Sequence, residues 1–331
     1  MPFLSGNELE KVYKKAKREG YGFIASNIAE PNVLIGVLEA SKNKKSDLIL
    51  QLSTGAAKFA GGEDLITGLR VVTKYIQILA KNYDIGVFLN LDHWKKKDMD
   101  FIKMAIEEKL ASSIMIDASK ESFDENVRIT HEVVRMAEGK GILIEGELGK
   151  IKGVEEEGTA SAEAFYTNPD EAVEFVEKTG LDLLAISIGT QHGVSKGKNI
   201  KLRTDLAQKI NNALIEAGRE VPLVLHGSSG LTEKQVKEII KYGICKVNKD
   251  TRYQYEYART SLDYYFEHKD SILPPKGEPD NRDGFFSDSK WSPVKADFDP
   301  RVVSKLIRKQ VEKTAEKLID QVGSAGKSLY L

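Results

Sequence analysis

The sequence predicts an α/β protein, a (β/α)8 TIM barrel with an extra N-terminal helix and a C-terminal helical arm. Three observations predict it. Eight short apolar runs recur along roughly the first 250 residues. Longer amphipathic stretches separate them. The runs are nearly continuous in apolar character rather than alternating, as expected of parallel strands covered by helices. A doubly wound open sheet is the other architecture such a pattern allows, but no GxGxxG follows the first run.

In order, residues 1–20 (MPFLSGNELEKVYKKAKREG) have the spacing of an amphipathic helix and lack the apolar stretch of a signal peptide. The strand runs are residues 21–26 (YGFIAS), 48–52 (LILQL), 85–91 (IGVFLNL), 113–117 (SIMID), 142–148 (ILIEGEL), 183–188 (LLAISI), 222–226 (PLVLH) and 244–248 (ICKVN). Residues 63–80 place Leu65, Leu69, Val72, Ile76 and Leu79 at helical spacing. Thr232 and Gln235 form a capping-box pattern, and Asn168-Pro169 reads as a helix start. After the eighth run the pattern changes. Residues 251–268 are helical and rich in Tyr, and residues 300–322 form a last amphipathic helix. Between them, residues 272–300 carry five of the nine prolines and no periodicity, yet hold Phe and Trp side chains that suit a packed arm. The expected organisation is one domain over 1–331, with the helix at 1–20, the barrel at 21–250 and the arm at 251–331.

Composition narrows the function. With 49 basic and 50 acidic residues the net charge is −1, without the basic excess of a nucleic-acid protein. The longest uncharged run, residues 183–195, is too short to span a bilayer. A lone cysteine, Cys245, cannot form an internal disulfide. A cytoplasmic protein with neither nucleic-acid nor membrane partners is expected.

In a (β/α)8 barrel the reactive groups sit at the C-terminal ends of the strands. Strand three ends in Leu91-Asp92-His93, strand six runs into residues 187–193 (SIGTQHG) and strand seven into residues 225–230 (LHGSSG). Three of only five histidines, His93, His192 and His226, thus fall at equivalent ends. Three imidazoles with an open position suit a catalytic metal. Zn2+, Co2+ and Fe2+ share such ligands. Asp92, Asp117, Glu145 and Glu147 cluster at the same mouth, and Glu145 and Glu147, two apart, share one face of their strand. Residues 152–159 (KGVEEEGT) read either as a solvated charge run or as a mobile base that closes over substrate. Loops after strands seven and eight often bind phosphate in such barrels. Here they read HGSSG and Val247-Asn248-Lys249-Asp250-Thr251. No lysine is singled out at an apolar strand end as a Schiff base.

The ordered set LDH, ELG, IGTQHG, LHGSSG and KVNKDT resembles the class II, metal-dependent fructose-bisphosphate aldolases. The resemblance runs from Asn27 to Arg301, and YTNP at residues 166–169 and Asp299-Pro300-Arg301 look like the branch with a long C-terminal arm. It implies reversible cleavage of fructose 1,6-bisphosphate to dihydroxyacetone phosphate and glyceraldehyde 3-phosphate, a step of glycolysis and gluconeogenesis, with a divalent metal stabilising the enediolate. By resemblance His93, His192 and His226 hold Zn2+, and Asp117 and Glu147 match acidic positions linked to a second or displaced cation, divalent or monovalent. Asp92 would move the proton of the ketose C4 hydroxyl. Glu155, or its neighbour Glu156 in a loop that departs from the family's usual wording, would deprotonate dihydroxyacetone phosphate. Gly193, Gly227, Ser228, Ser229, Asn248, Lys249, Asp250 and Thr251 match the triose-phosphate site, with Ser53 and Lys196 as further candidates and Asn27 on the substrate side. Arg301 would reach the second phosphate from a neighbouring subunit, which implies a homodimer. Residue types leave open tagatose 1,6-bisphosphate or sedoheptulose 1,7-bisphosphate as the sugar. A non-catalytic sugar-phosphate-binding barrel is the reading from another class, and the acids standing beside the ligands speak against it.

Overall fold

The computed structural model describes residues 3–149, 166–190 and 202–331. Eight parallel strands close into a barrel in sequence order: β1 (Phe23–Asn27), β2 (Leu48–Ser53), β3 (Val87–Trp94), β4 (Ser113–Ile116), β5 (Leu143–Leu148), β6 (Leu183–Ile186), β7 (Leu223–Leu225) and β8 (Ile244–Lys249). Each expected run holds a strand. The largest difference is at β3, whose ladder continues beyond the apolar run through Asp92, His93 and Trp94.

The barrel wall has two apolar faces. Outward side chains pack under the surrounding helices in one large cluster. Inward side chains at the N-terminal end, among them Phe23, Ile49, Phe88, Leu143 and Leu183, form a second cluster with Leu9, Val12, Tyr13 and Ala16 of α1 (Gly6–Glu19). The first helix thus plugs the barrel floor. Above this plug the inward positions turn polar: Gln51, Asn90, Ser113, Glu145 and Lys246 are all buried. The chemistry is raised to the open, C-terminal end.

Several of the helices begin where a side chain caps them. The Glu30 side chain accepts from the Asn32 and Val33 N–H groups ahead of α2 (Pro31–Lys44), whose first residue is proline. A short helix the periodicity does not show, α3 (Thr54–Ala60), follows β2. The expected helix at 63–80 starts two residues later, as α4 (Leu65–Ala80), because the Asp64 side chain caps it by accepting from the Thr67 N–H. Helices α5 (Met99–Glu107), α6 (Phe123–Ala137), α7 (Pro169–Thr179), α8 (Thr204–Glu216) and α9 (Glu233–Ile240) complete the outer ring. Asn168 caps α7 and the Thr232/Gln235 box caps α9.

Beyond the barrel come α10 (Thr251–Glu267), two single turns, α11 (Lys269–Ile272) and α12 (Lys295–Phe298), and the long α13 (Pro300–Val322). In the proline-rich segment Phe285 is buried and meets Trp291 edge to face at 5.0 Å. Helix α13 lies along α2 with Val303, Ile307, Val311, Ala315 and Leu318 buried. Gly36 permits that approach: a Cβ there would stand 2.8 Å from Val311 Cγ1 and 2.9 Å from the Arg308 carbonyl oxygen. Gly36→Ala should therefore lower the unfolding free energy by about 1–3 kcal/mol through overpacking, read as a shift of the urea midpoint. An unchanged midpoint would mean that the two helices do not depend on this contact.

Candidate active site

A cavity of about 340 Å³ opens at the C-terminal end of the barrel. Its floor carries Asn27, Ser53, Asp92, His93, His226 and Asn248, and one wall carries Gly227, Ser228, Ser229, Asp250 and Thr251. All of these stand at strand ends or in the loops after β7 and β8, as barrel geometry requires.

Adjacent residues of a regular strand point to opposite faces. Asp92 and His93 nevertheless share the site, because the β3–β4 register shifts between Leu91 and Trp94 and His93 adopts φ 52°. This local bulge, in a backbone region uncommon for residues other than glycine, turns both side chains into the mouth. The His93 and His226 rings meet edge to face, 4.6 Å between centroids.

The carboxylates around His93 set its charge. His93 Nδ1 is 3.2 Å from Asp117 Oδ2 and 3.7 Å from Glu147 Oε2. Burial works against a charged ring, but the Asp92 charge, the Asp117 hydrogen bond and the Glu147 charge outweigh it and raise the His93 pKa to about 9. Burial first, then the Asp117 charge, raises Glu147 to about 8. Burial pushes Asp117 the same way, but its hydrogen bond to His93 and the His93 charge prevail and hold it well below the usual carboxylate range, with the Ser119 hydroxyl donating to Oδ1 at 2.7 Å.

His226 is held from below. Its Nε2 lies 2.9 Å from Glu145 Oε1, while Lys246 Nζ donates to Glu145 Oε2 at 2.6 Å. Burial opposes ionisation of Glu145, yet the Lys246 charge and then the His226 hydrogen bond bring its pKa down to about 2. An ionised carboxylate only accepts, so His226 Nε2 carries the proton. Its Nδ1 lone pair then accepts from Asn248 Nδ2 at 2.9 Å. Burial and the neighbouring His93 charge push the His226 pKa down, which keeps the ring neutral.

The donor set fits a divalent cation. Ligand atoms of Asp92, His93 and His226 lie within 4.8 Å of one another, as do those of His93, Asp117 and Glu147. Glu147 Oε2 and Asn248 Oδ1 are buried with no hydrogen-bond partner among the described residues. Buried polar atoms are normally satisfied, and orphaned acceptors beside two imidazoles suit an ion.

The structure brings together Asn27, Ser53, Asp92, His93, Asp117, Glu147, His226, Gly227, Ser228, Ser229, Asn248, Asp250 and Thr251. His192, Gly193, Lys196, Glu155 and Glu156 lie outside the described residues. Two expected site residues, Lys249 and Arg301, stand apart from the cavity of their own chain. Lys249 does not line the cavity: its side chain is buried behind the wall, and Nζ donates to the Ser228 carbonyl at 2.7 Å. Burial, with the Arg252 charge, pushes this amine down to about 8. Arg301 is 82% exposed at the head of α13, where it pairs with Asp299, and does not enter the cavity of its own chain. Gln51, Asn90 and Ser113 carry no motif and are not anticipated, and Lys246, though it opens the KVNKDT run, is given no role there. The one available signal is that each is a polar residue inside an apolar run.

The comparisons with known proteins agree with this geometry. Residues 7–327 match the family model described as fructose-bisphosphate aldolase class-II. A fructose-bisphosphate aldolase from Mycobacterium leprae is 30% identical, covering 92% of this chain and 95% of that protein. One from Thermus caldophilus is 35% identical over 73% of this chain and 81% of its own length. The crystal structure of the Campylobacter jejuni fructose-bisphosphate aldolase superposes with a TM-score of 0.84 at 28% identity, covering 99% of this chain and 97% of that one. Family model, full-length relatives and superposition converge on one assignment, a metal-dependent lyase of the class-II fructose-bisphosphate aldolase family, to which this chain belongs.

Proposed function

We propose that this protein reversibly cleaves fructose 1,6-bisphosphate to dihydroxyacetone phosphate and glyceraldehyde 3-phosphate. The observation that carries the reading is Asp92: a carboxylate beside the His93–His226 pair, on a cavity whose wall presents a loop and a helix start suited to phosphate.

His93 and His226, with His192 from the sequence after β6, would hold the cation, and Zn2+ suits this donor set. When bound, the cation supplies Lewis-acid stabilisation of the negative charge that develops on the triose-phosphate oxygens. The remaining chemistry belongs to the chain. Asp92 accepts the C4 hydroxyl proton, the C3–C4 bond breaks as the C4 carbonyl forms, and the bonding pair passes to C3 and the C2 carbonyl. The aldehyde product leaves. A carboxylate of residues 152–159, Glu155 or Glu156, returns a proton to C3.

Substrate is held by its phosphates. The Gly227–Ser229 loop is fixed by the Ser228 hydroxyl, which donates to the Asn248 carbonyl at 2.6 Å. It stands beside Thr251 at the N-terminus of α10, where backbone N–H groups and the helix dipole favour an anion. Lys249 locks this wall from behind rather than touching phosphate. The second phosphate is the task of Arg301 from another copy. Exposed Tyr255, Leu262 and Phe266 on α10 offer apolar surface for a homodimer.

Three outcomes test the proposal. EDTA should abolish cleavage and Zn2+ restore it, while borohydride with substrate should trap no adduct on Lys246, Lys249 or any other lysine; cleavage in EDTA or a trapped adduct would refute it. Asp92→Ala should lower kcat by about 10²–10⁴ with metal content unchanged; lost metal with unchanged turnover would remove the proton-transfer role. Arg301→Ala should raise KM for the bisphosphate and leave dihydroxyacetone phosphate binding unaltered. Equal effects on both ligands would take Arg301 out of the second phosphate site.

A further inference from the structure

A line of side-chain hydrogen bonds crosses the barrel interior beneath the cavity. In one layer Asn27 of β1 stands beside Gln51 of β2, Gln51 beside Asn90 of β3, and Asn90 beside Ser113 of β4. The side chains are joined in a single direction. The Ser113 hydroxyl donates to Asn90 Oδ1 at 2.7 Å, and Asn90 Nδ2 donates to Gln51 Oε1 at 3.0 Å. Gln51 Nε2 donates to Asn27 Oδ1 at 2.7 Å, and Asn27 Nδ2 donates to Asp92 Oδ2 at 2.8 Å. Gln51, Asn90 and Ser113 are buried, so water does not compete for these bonds.

An amide can turn by 180° and exchange its donor for its acceptor. Here the Asp92 end forbids it, and the Ser113 hydroxyl, which can donate or accept, completes the line as a donor. The Asp92 carboxylate accepts only, so Asn27 must show it the NH2 group and turn its oxygen to Gln51. Gln51 must then donate to Asn27 and accept from Asn90. Asn90 is left with its oxygen toward Ser113, whose hydroxyl can donate. Reverse any link and two acceptors or two donors face each other in a dry layer.

The end of the line matters because Asp92 has a competing position. Its ligand atom lies within 4.8 Å of those of His93 and His226, so the carboxylate can turn onto a cation and cease to act as a base. Asn248 Nδ2 approaches Oδ1 only at 3.3 Å. The shorter bond from Asn27 is what holds Oδ2.

We propose that Gln51, Asn90 and Ser113 are positioning residues for carbon–carbon cleavage: they fix the Asn27 amide as a donor, which keeps the Asp92 carboxylate on the C4 hydroxyl and off the cation. The inference rests on the reading of Asp92 given under Proposed function. It separates two activities of one site. Bond cleavage needs Asp92. Exchange of the dihydroxyacetone phosphate C3 hydrogen with solvent needs the cation and the Glu155 or Glu156 carboxylate but not Asp92.

The test uses the zinc-loaded full chain and the variants Ser113→Ala, Ser113→Thr and Asn90→Leu. Cleavage kcat and KM are measured beside hydrogen exchange of dihydroxyacetone phosphate in D2O and metal content. Ser113→Ala and Asn90→Leu should lower cleavage kcat by about tenfold to a hundredfold, with KM, exchange rate and metal content near wild type; Ser113→Thr, which keeps the hydroxyl, should stay near wild type. Retained exchange also reports that a variant is folded. Exchange falling in step with cleavage, cleavage left unchanged, or a loss in Ser113→Thr equal to that in Ser113→Ala would overturn the inference. A wild-type protein that neither cleaves nor exchanges would overturn the aldolase reading itself, and this inference with it.

Discussion

Asp92, Asp117 and Glu147 converge on His93 at the open end of the barrel, and this concentration of negative charge is the constraint on which the site depends. Among the described residues no lysine or arginine pairs with any of the three. Buried charge is costly unless it is paired. The molecule meets the demand in two ways. The fourth carboxylate, Glu145, is neutralised one layer lower by Lys246, and the resulting pair anchors His226. The remaining three are left to His93 and to the cation that the donor set fits. Stability and chemistry thus share one cause, because the groups that make the apo site unfavourable are those that give it affinity for a metal.

The barrel makes this arrangement possible by layering. The floor is apolar and plugged by the first helix, the middle layer is amide, hydroxyl and ion pair, and only the top layer meets substrate. Side chains in the middle layer are buried and hydrogen-bonded to their neighbours, so they can impose an orientation on the groups above. A loop could place the same residues, but with less definition than strands in fixed register. The bulge at His93 breaks the β3–β4 register, and it aims two neighbouring side chains at one point.

Much of this was readable in the chain. Strands covered on both faces leave continuous apolar runs, and those runs located all eight strands. Histidines and acids at the ends of the runs located the mouth. What escaped did so for definite reasons. Glu145 and Lys246 are 101 positions apart, so their pairing has no local signature. Gln51 and Asn90 each read as a lone polar residue in an apolar run, and their meaning appears only when the register sets them side by side. Lys249 sits in a motif of site residues, yet strand alternation turns it away from the cavity that Asn248 faces. Helix α3 is too short for periodicity to reveal.

The carboxylates and imidazoles at the barrel mouth have the donor set of a divalent-cation site. Thermal unfolding of the wild-type protein and of His226→Ala, each with EDTA and with Zn2+, tests this claim without reference to turnover. Binding to the folded state alone should stabilise the wild type by about 2.7 kcal/mol at a hundredfold excess over Kd, seen as a higher midpoint, with most of the gain absent from the variant. A wild-type midpoint that is the same in EDTA and in Zn2+ would contradict the claim.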